Sequence, residues 1–408
     1  MKVLLVNKFH YRKGGSETYY FTLAEALKAR GHEVVFFAMQ DEKNLPCEQE
    51  QFFVSNASVN GGIKSKLNML LHMTYSKEAY GKMKKLLQAE QPDLVILNLV
   101  HKQITLSIID AIKEHDPKLP IFWTMHDLIA VCPSYLMRDG SGAVCEKCLG
   151  GDYSHCVKNK CIKGSTLMSV LSAYEASYIR RRKWYDQVDL FICPSEFYRG
   201  KLLEGNFTKS RIITMRNPLP LDTVYEAAGK DEGYVLFFGR LSPEKGVKTL
   251  IQAAKLCGCP LVILGTGPQE EELKALAEGA SNIEFKGFQT GDALKNYVRN
   301  SRCVVLPSEW YENGPYSAME AMAMGKPLIV SGNGGLPELV ENGENGYLYG
   351  QRPEELAECI RSLLSLPEED YRTMSRKSLE KAKDMFDADG YVKCLEQQYY
   401  QIKETTNV

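Results

Sequence analysis

A chain of 408 residues with 44% apolar and 25% charged side chains is ordinary for a globular protein and too long for one core, so two domains are expected. Its formal net charge of -1 argues against a dedicated nucleic-acid binder, and no apolar run approaches the roughly 18 residues of a membrane span. Twelve cysteines in a chain that opens on a strand, Met1 to Asn7, rather than on a signal peptide do not suggest a disulfide scaffold and point to the cytoplasm.

Short apolar strands alternate with amphipathic helices along most of the chain, which predicts an α/β fold of parallel sheets wound by helices. Val3–Val6 reads as a strand and Gly14-Gly15 as a tight turn. Ser16–Arg30 follows as a helix with Tyr20, Leu23, Ala24 and Leu27 on one face, ended by Gly31. Val34–Phe37, Asp93–Leu97 and Ile121–Thr124 are further strands, with a helix over Ile104–Ile112. His126 and Asp127 come just after the strand that ends at Thr124. A Gly- and Lys-rich insertion, 132–161, interrupts the pattern before the strands Asp189–Cys193 and Ile212–Met215. The prolines of Arg216 to Pro220 and the polar stretch Tyr225–Gly233 mark a domain connection.

A second strand–helix series starts at Tyr234 and continues through Leu261–Leu264, Ile283–Phe285, Cys303–Leu306, Leu328–Val330 and Gly346–Leu348. The expected division is 1–216, then 232–387, then a terminal helix within 388–408. The strand at Tyr234 runs into Gly239-Arg240-Leu241-Ser242-Pro243-Glu244-Lys245-Gly246, where an Arg fork and a Lys point charge suit two adjacent phosphates. A solvated basic loop is the plainer reading. The strand at Cys303 precedes Glu312-Asn313-Gly314-Pro315-Tyr316-Ser317 and a helix carrying Glu320 that stops at Gly325, with seven residues between the two glutamates. Pro315 is expected at the first helical position, and the main-chain amides of this helix start are a candidate anion site. Ligands in open parallel sheets sit beyond the carboxyl ends of strands. Arg240, Lys245, Gly265, Glu312, Gly14, Gly15 and His126 all follow strands.

These residues resemble the retaining glycosyltransferases of family four, with the two-domain GT-B architecture. The likeness is carried by Phe238 to Leu241 with Lys245-Gly246, Gly265-Thr266-Gly267-Pro268, Pro307-Ser308, Glu312 through Glu320, and Ala323 to Pro327. It is thinner in the first half, at Gly14-Gly15 and Thr124 to Asp127. The resemblance implies transfer of a sugar from a nucleotide diphosphate sugar to a hydroxyl acceptor with the anomeric configuration kept. Arg240 and Lys245 would take the diphosphate charge. The residues Asn313, Gly314, Pro315, Tyr316 and Ser317 would hold its outer oxygens, and Gly14 and Gly15 would let the backbone approach the sugar phosphate. Glu320 would bind the ribose hydroxyls, Glu312 the donor sugar near the reacting carbon, and His126 the sugar hydroxyls, with an electrostatic part for Glu312 and His126. Gly265 belongs to the same donor-binding set. The terminal helix would cross back to the first domain. No double-displacement nucleophile is evident, so a same-face substitution is what the resemblance implies.

No cofactor is expected for catalysis. The Asp387-Ala388-Asp389 pattern precedes the terminal helix and reads as helix-cap chemistry rather than a metal motif. Cys145, Cys148, Cys156 and Cys161 are candidate ligands of a structural zinc, with Cys132 or His155 as substitutes. An iron–sulfur cluster or plain reduced thiols are the alternatives. Two basic amphipathic stretches, Lys64–Leu87 and Lys163–Tyr185, are candidates for resting on an anionic membrane surface, against the reading of core helices with solvated basic faces. The first reading would suit a lipid-linked glycan acceptor in envelope or capsule polysaccharide synthesis and a peripheral site at the inner membrane face. Two rivals stand beside the transferase: a sugar-nucleotide epimerase of the same fold and a non-catalytic partner subunit. An epimerase would alter the donor alone, whereas a transferase releases nucleotide mainly with acceptor.

Overall fold

The structure, a computed structural model, describes residues 1–56, 74–227, 229 and 231–406. The chain divides into two compact units, Met1–Leu221 with the chain from Ala388 onward, and Asp222–Asp387. Part of the basic stretch Lys64–Leu87, residues 64–73, lies outside the described residues.

The first unit is a six-stranded parallel sheet of β1 (Lys2–Val6), β2 (Glu33–Phe37), β3 (Leu94–Leu97), β4 (Ile121–Thr124), β5 (Leu190–Cys193) and β6 (Arg211–Thr214) in the order β2-β1-β3-β4-β5-β6. Val3, Leu4, Leu5 and Val6 are fully buried because helices cover a parallel sheet on both faces. Helix α1 (Gly15–Ala29) follows β1, α2 (Lys77–Glu90) precedes β3, and α3 (Ser107–His115) lies between β3 and β4. The expected helix over Ile104–Ile112 thus starts later. Thr105 has a left-handed backbone (φ 66°), which no helix interior accepts. Between β4 and β5 come the cysteine-rich loop with its short α4 (Ser154–Lys158), and α5 (Thr166–Arg182). Helix α6 (Glu196–Glu204) joins β5 to β6.

The second unit is also a parallel sheet: β7 (Tyr234–Phe238), β8 (Leu261–Leu264), β9 (Ile283–Phe285), β10 (Ser301–Leu306), β11 (Leu328–Ser331) and β12 (Gly346–Tyr349), in the order β12-β11-β10-β7-β8-β9. Helices α7 (Val247–Cys257), α8 (Glu270–Ala277), α9 (Gly291–Asn300), α10 (Tyr316–Ala323), α11 (Pro353–Leu364) and α12 (Glu368–Met385) make the crossovers and the covering layer. Its core joins Val235, Phe237, Leu250, Ile263, Val305 and Ile360.

The order of winding reverses between β1 and β3 in the first sheet and between β7 and β10 in the second. Such switch points leave a crevice beyond the strand ends, because the two crossovers depart to opposite faces. The loops carrying Arg240, Lys245 and Glu312 follow β7 and β10, at the switch point of the second sheet.

The last helix, α13 (Ala388–Thr406), packs in the first unit. Arg30 Nη1 meets Asp389 Oδ1 at 2.7 Å, and its Nη2 meets Glu396 Oε2 at 2.8 Å. Tyr391 shares a 2.7 Å hydroxyl hydrogen bond with Tyr19 of α1. Asp389 is therefore engaged by Arg30, and also by Lys393 at 2.6 Å.

Candidate functional site

In the second unit four strand-end loops lock together. The Glu309 N–H donates to Glu244 O at 2.9 Å, tying the loop after β10 to the loop after β7. The Leu241 N–H donates to Thr266 O at 2.9 Å, tying β7 to β8. Gly265 sits at this second junction with φ +127°, and a side chain there would overlap the carbonyl of Gly239. Only glycine fits such a backbone angle and approach.

Glu312 is buried, 5% exposed, at the centre of this cluster. Its Oε1 accepts from Lys245 Nζ at 2.6 Å and from Ser308 Oγ at 2.6 Å. Burial pushes its pKa up, yet Lys245 and the hydroxyl outweigh that effect and hold the group below the ordinary glutamate range. A permanent carboxylate results. The loop is braced from β11: Ser331 Oγ and Asn333 Nδ2 donate to Ser308 O at 2.6 and 2.8 Å, and Gly335 N–H donates to Glu312 O at 2.7 Å. Gly334 has φ +66°, and a Cβ on it would overlap the Glu312 backbone.

Arg240 is exposed and lines a cleft of about 460 Å³ with Gly239, Gly265, Thr266 and Phe288. Lys245, on the same loop as Arg240, is directed to Glu312. The expected place of Pro315 is corrected. With ψ 128° it is the residue before the helix, not its first turn, and its carbonyl accepts from the Ala318 and Met319 amides. A capping residue keeps extended angles while its C=O takes the first helical bonds. Asn313, Gly314, Tyr316 and Ser317 are half-buried around this start. Glu320, one and a half turns along α10, is half-buried, and burial raises its carboxyl to about 7 against a weak pull from Lys295.

The first unit presents Gly14 and Gly15 where α1 begins, with Gly14 as the residue before the helix. Gly14 is extended, and a Cβ would find only ordinary contact with Glu17 Oε2 at 3.7 Å, so nothing within the fold demands glycine there. After β4, His126 Nε2 lies 2.9 Å from Asn98 Oδ1, its ring edge-on to Tyr19 at 4.9 Å. Asn98 Nδ2 already donates to Val6 O, so its Oδ1 is the acceptor and His126 Nε2 must carry the proton. That leaves Nδ1 as an acceptor. Burial lowers His126 to about 3, so the imidazole is neutral and acts by hydrogen bonding, not by the charge its electrostatic role would need.

Among the described residues no group of three or more His, Cys, Asp or Glu is arranged to hold a metal ion. Cys148 and Cys156 are instead buried with Tyr153 and Ala173, and Cys161 packs against them. Burial pushes Cys148 and Cys156 up to about 12. Cys145 accepts from Asn159 Nδ2 at 3.8 Å. Burial thus favours the neutral thiol at Cys148, Cys156 and Cys161, whereas a zinc ion would bind thiolates.

Asn7, Asn98, Glu17, Ser331 and Asn333 escaped the sequence reading. Asn7 Nδ2 donates to buried Glu17 at 3.2 Å, and Asn7 Oδ1 accepts from Leu99 N–H, also at 3.2 Å. A signal existed: Asn7, Asn98 and Ser331 are among the polar residues that end buried apolar strands or directly follow them.

A family model described as Glycosyltransferase Family 4 matches residues 13–223, and one described as Glycosyl transferases group 1 matches residues 225–381. An uncharacterised glycosyltransferase of Methanocaldococcus jannaschii is 36% identical over 143 residues, 33% of this chain and 36% of that protein. The amylovoran biosynthesis glycosyltransferase AmsK of Erwinia amylovora is 32% identical over 211 residues, 48% of this chain and 50% of that protein. The chain spans between about a third and just over half the length of such curated relatives, with 36% and 57% for two of them. Among solved structures, Anabaena HepE in complex with UDP superposes with a TM-score of 0.64 over 100% of both chains at 18% identity, a likeness of fold.

Proposed function

Because the chain belongs to glycosyltransferase family 4 and has a GT-B fold of two parallel-sheet units, we propose that it moves a sugar from a nucleotide diphosphate sugar to a hydroxyl acceptor, with retention at the anomeric carbon. The observation that carries this reading is the Lys245–Glu312–Ser308 cluster around a buried carboxylate at the switch point of the second sheet, with Arg240, on the same loop as Lys245, lining a cleft.

Breaking the bond to a diphosphate leaves negative charge on the leaving group and positive character on the sugar. Fixed charges placed before the reaction stabilise both without reorganisation. Arg240 and the start of α10 offer positive potential to the diphosphate. Lys245 steadies the Glu312 carboxylate in the free protein and is proposed to shift toward the phosphates when donor binds. Glu312, anionic throughout the neutral range, faces the cationic sugar. Glu320 takes the ribose hydroxyls, Gly14 and Gly15 leave room for the sugar phosphate, and Nδ1 of His126 accepts from a sugar hydroxyl. These cations supply the charge that a divalent ion supplies elsewhere, so the transfer is proposed to run without metal.

The acceptor we propose is a lipid-linked glycan in envelope polysaccharide assembly, met at the inner face of the membrane. Similarity to an amylovoran biosynthesis enzyme supports the polysaccharide part. Among the described residues no helix is long and apolar enough to cross a membrane. The donor base to test first is uracil, since HepE was solved with UDP. The test is a donor screen by nucleotide release, followed by NMR of the product's anomeric configuration. Arg240→Ala and Lys245→Ala are each expected to slow turnover at least tenfold, about 1.4 kcal/mol of barrier. Near-normal rates in both would refute the assignment.

A further inference from the structure

The two basic amphipathic stretches part company in the structure. Helix α2 buries Ala79, Met83, Leu86 and Leu87, and its Lys82 and Lys84 pair with Glu78 at 3.2 Å and Glu114 at 2.7 Å. No large apolar side chain of α2 is exposed. It is an ordinary core helix.

Helix α5 is built the other way. One face, with Leu171, Ala173 and Ile179, is buried, and Ala173 closes over Cys148, Tyr153 and Cys156 of the cysteine-rich loop. The opposite face leaves Leu167 64%, Val170 44% and Tyr174 50% exposed. Their spacing of three and four residues puts them in one stripe along the helix. Met168 widens it.

Charge around this stripe is one-sided. From Tyr153 to Tyr185 the chain carries seven Lys or Arg and a single acid, Glu175, within a protein whose net charge is -1. Glu175 is buried on the inner face, and burial raises it to about 7, so it offsets little. Arg182 is spent on Asp110 and Arg180 on the Asn206 carbonyl. Lys158, Lys160, Lys163, Arg181 and Lys183 are exposed and pair with no described acid.

We propose that this face of α5, with Lys158, Lys160 and Lys163 beside its first turn, docks on an anionic lipid surface. An apolar stripe inserts at the headgroup boundary while flanking basic groups meet lipid phosphates, and both terms are needed for stable binding. A purely basic patch would bind weakly, and a purely apolar stripe would favour self-association. The inference rests on the proposed function only for the membrane-borne acceptor; the face itself stands on exposure and charge.

The test uses the whole chain and two triple variants, Leu167→Ser/Val170→Ser/Tyr174→Ser and Lys158→Ser/Lys160→Ser/Lys163→Ser. The wild type is expected to sediment with vesicles of phosphatidylglycerol and phosphatidylcholine, weakly with phosphatidylcholine alone, and less as salt rises. Each triple variant should lose at least about tenfold in partitioning, since one basic group near an anionic surface contributes roughly fivefold. Nucleotide release with a soluble acceptor should be unchanged in both, with native circular dichroism. Equal sedimentation of wild type and variants overturns the proposal, as does equal binding to neutral vesicles. So does a wild-type dimer in light scattering that the apolar variant abolishes. Failure of nucleotide release in the wild type would instead strike the proposed transferase function, which the vesicle assay does not read.

Discussion

Replacing Lys245 with Met removes the positive partner of a buried carboxylate while keeping most of the side-chain volume. Breaking a fully buried ion pair costs about 3–5 kcal/mol, because the remaining charge is left without compensation. Here Lys245 is 23% exposed, and Ser308 still donates to Glu312, so about 2–3 kcal/mol is the appropriate figure. On the transition of the Asp222–Asp387 unit this corresponds to a fall in Tm of about 5–10 °C. The pH dependence is the sharper reading. In the wild type the Glu312 carboxyl lies below its unfolded value, so its contribution is present above about pH 4.5 and lost as the pH falls further. Without Lys245, burial dominates and the folded carboxyl rises above the unfolded one. The variant then binds a proton more readily when folded, and its stability should increase as the pH is lowered from 8 toward 5. Calorimetry at several pH values, with Lys245→Arg as the charge-keeping control, measures both effects. A loss below about 1 °C with an unaltered pH slope would show that Lys245 does not govern the state of Glu312 and would refute the reasoning.

Gly334→Ala places a methyl group against the Glu312 backbone at a positive φ, so about 2–4 kcal/mol of stability should go, with loss of turnover exceeding that of an alanine at the open Gly343 turn; equal losses at the two sites, by thermal melts and nucleotide release, would contradict the close fit. Glu320 is raised to about 7 in the folded chain, so wild-type stability should decline as pH rises from about 4.5 to 7, and Glu320→Gln should flatten that part of the profile while weakening nucleotide affinity; an unchanged profile in isothermal titration and melting would count against both statements.

The local parts of this protein were open to reading from its residues alone. Runs such as Val3–Val6 and Leu261–Leu264 can be little else than buried parallel strands, because every position is apolar and the run is short. Arg240, Lys245 and Glu312 could be singled out as candidates by their placement after strands, and Glu320 by its spacing from Glu312, because both are properties of a single stretch of chain. Pro315 shows the limit even there, since capping residue and first helical residue differ by one dihedral angle.

Tertiary structure decided what depends on partners distant in sequence. The strand order that puts β7 beside β10 is set by crossovers, and it alone brings Lys245 to Glu312, 67 residues on. The proton position on His126 follows from Asn98, 28 residues earlier, whose own orientation is fixed by β1. Helices α2 and α5 each mix Leu and Met with basic residues in sequence, yet one is folded inward and the other leaves its apolar stripe in water. Amphipathic periodicity states that a helix has two faces; only the packing of its neighbours determines which of them is covered.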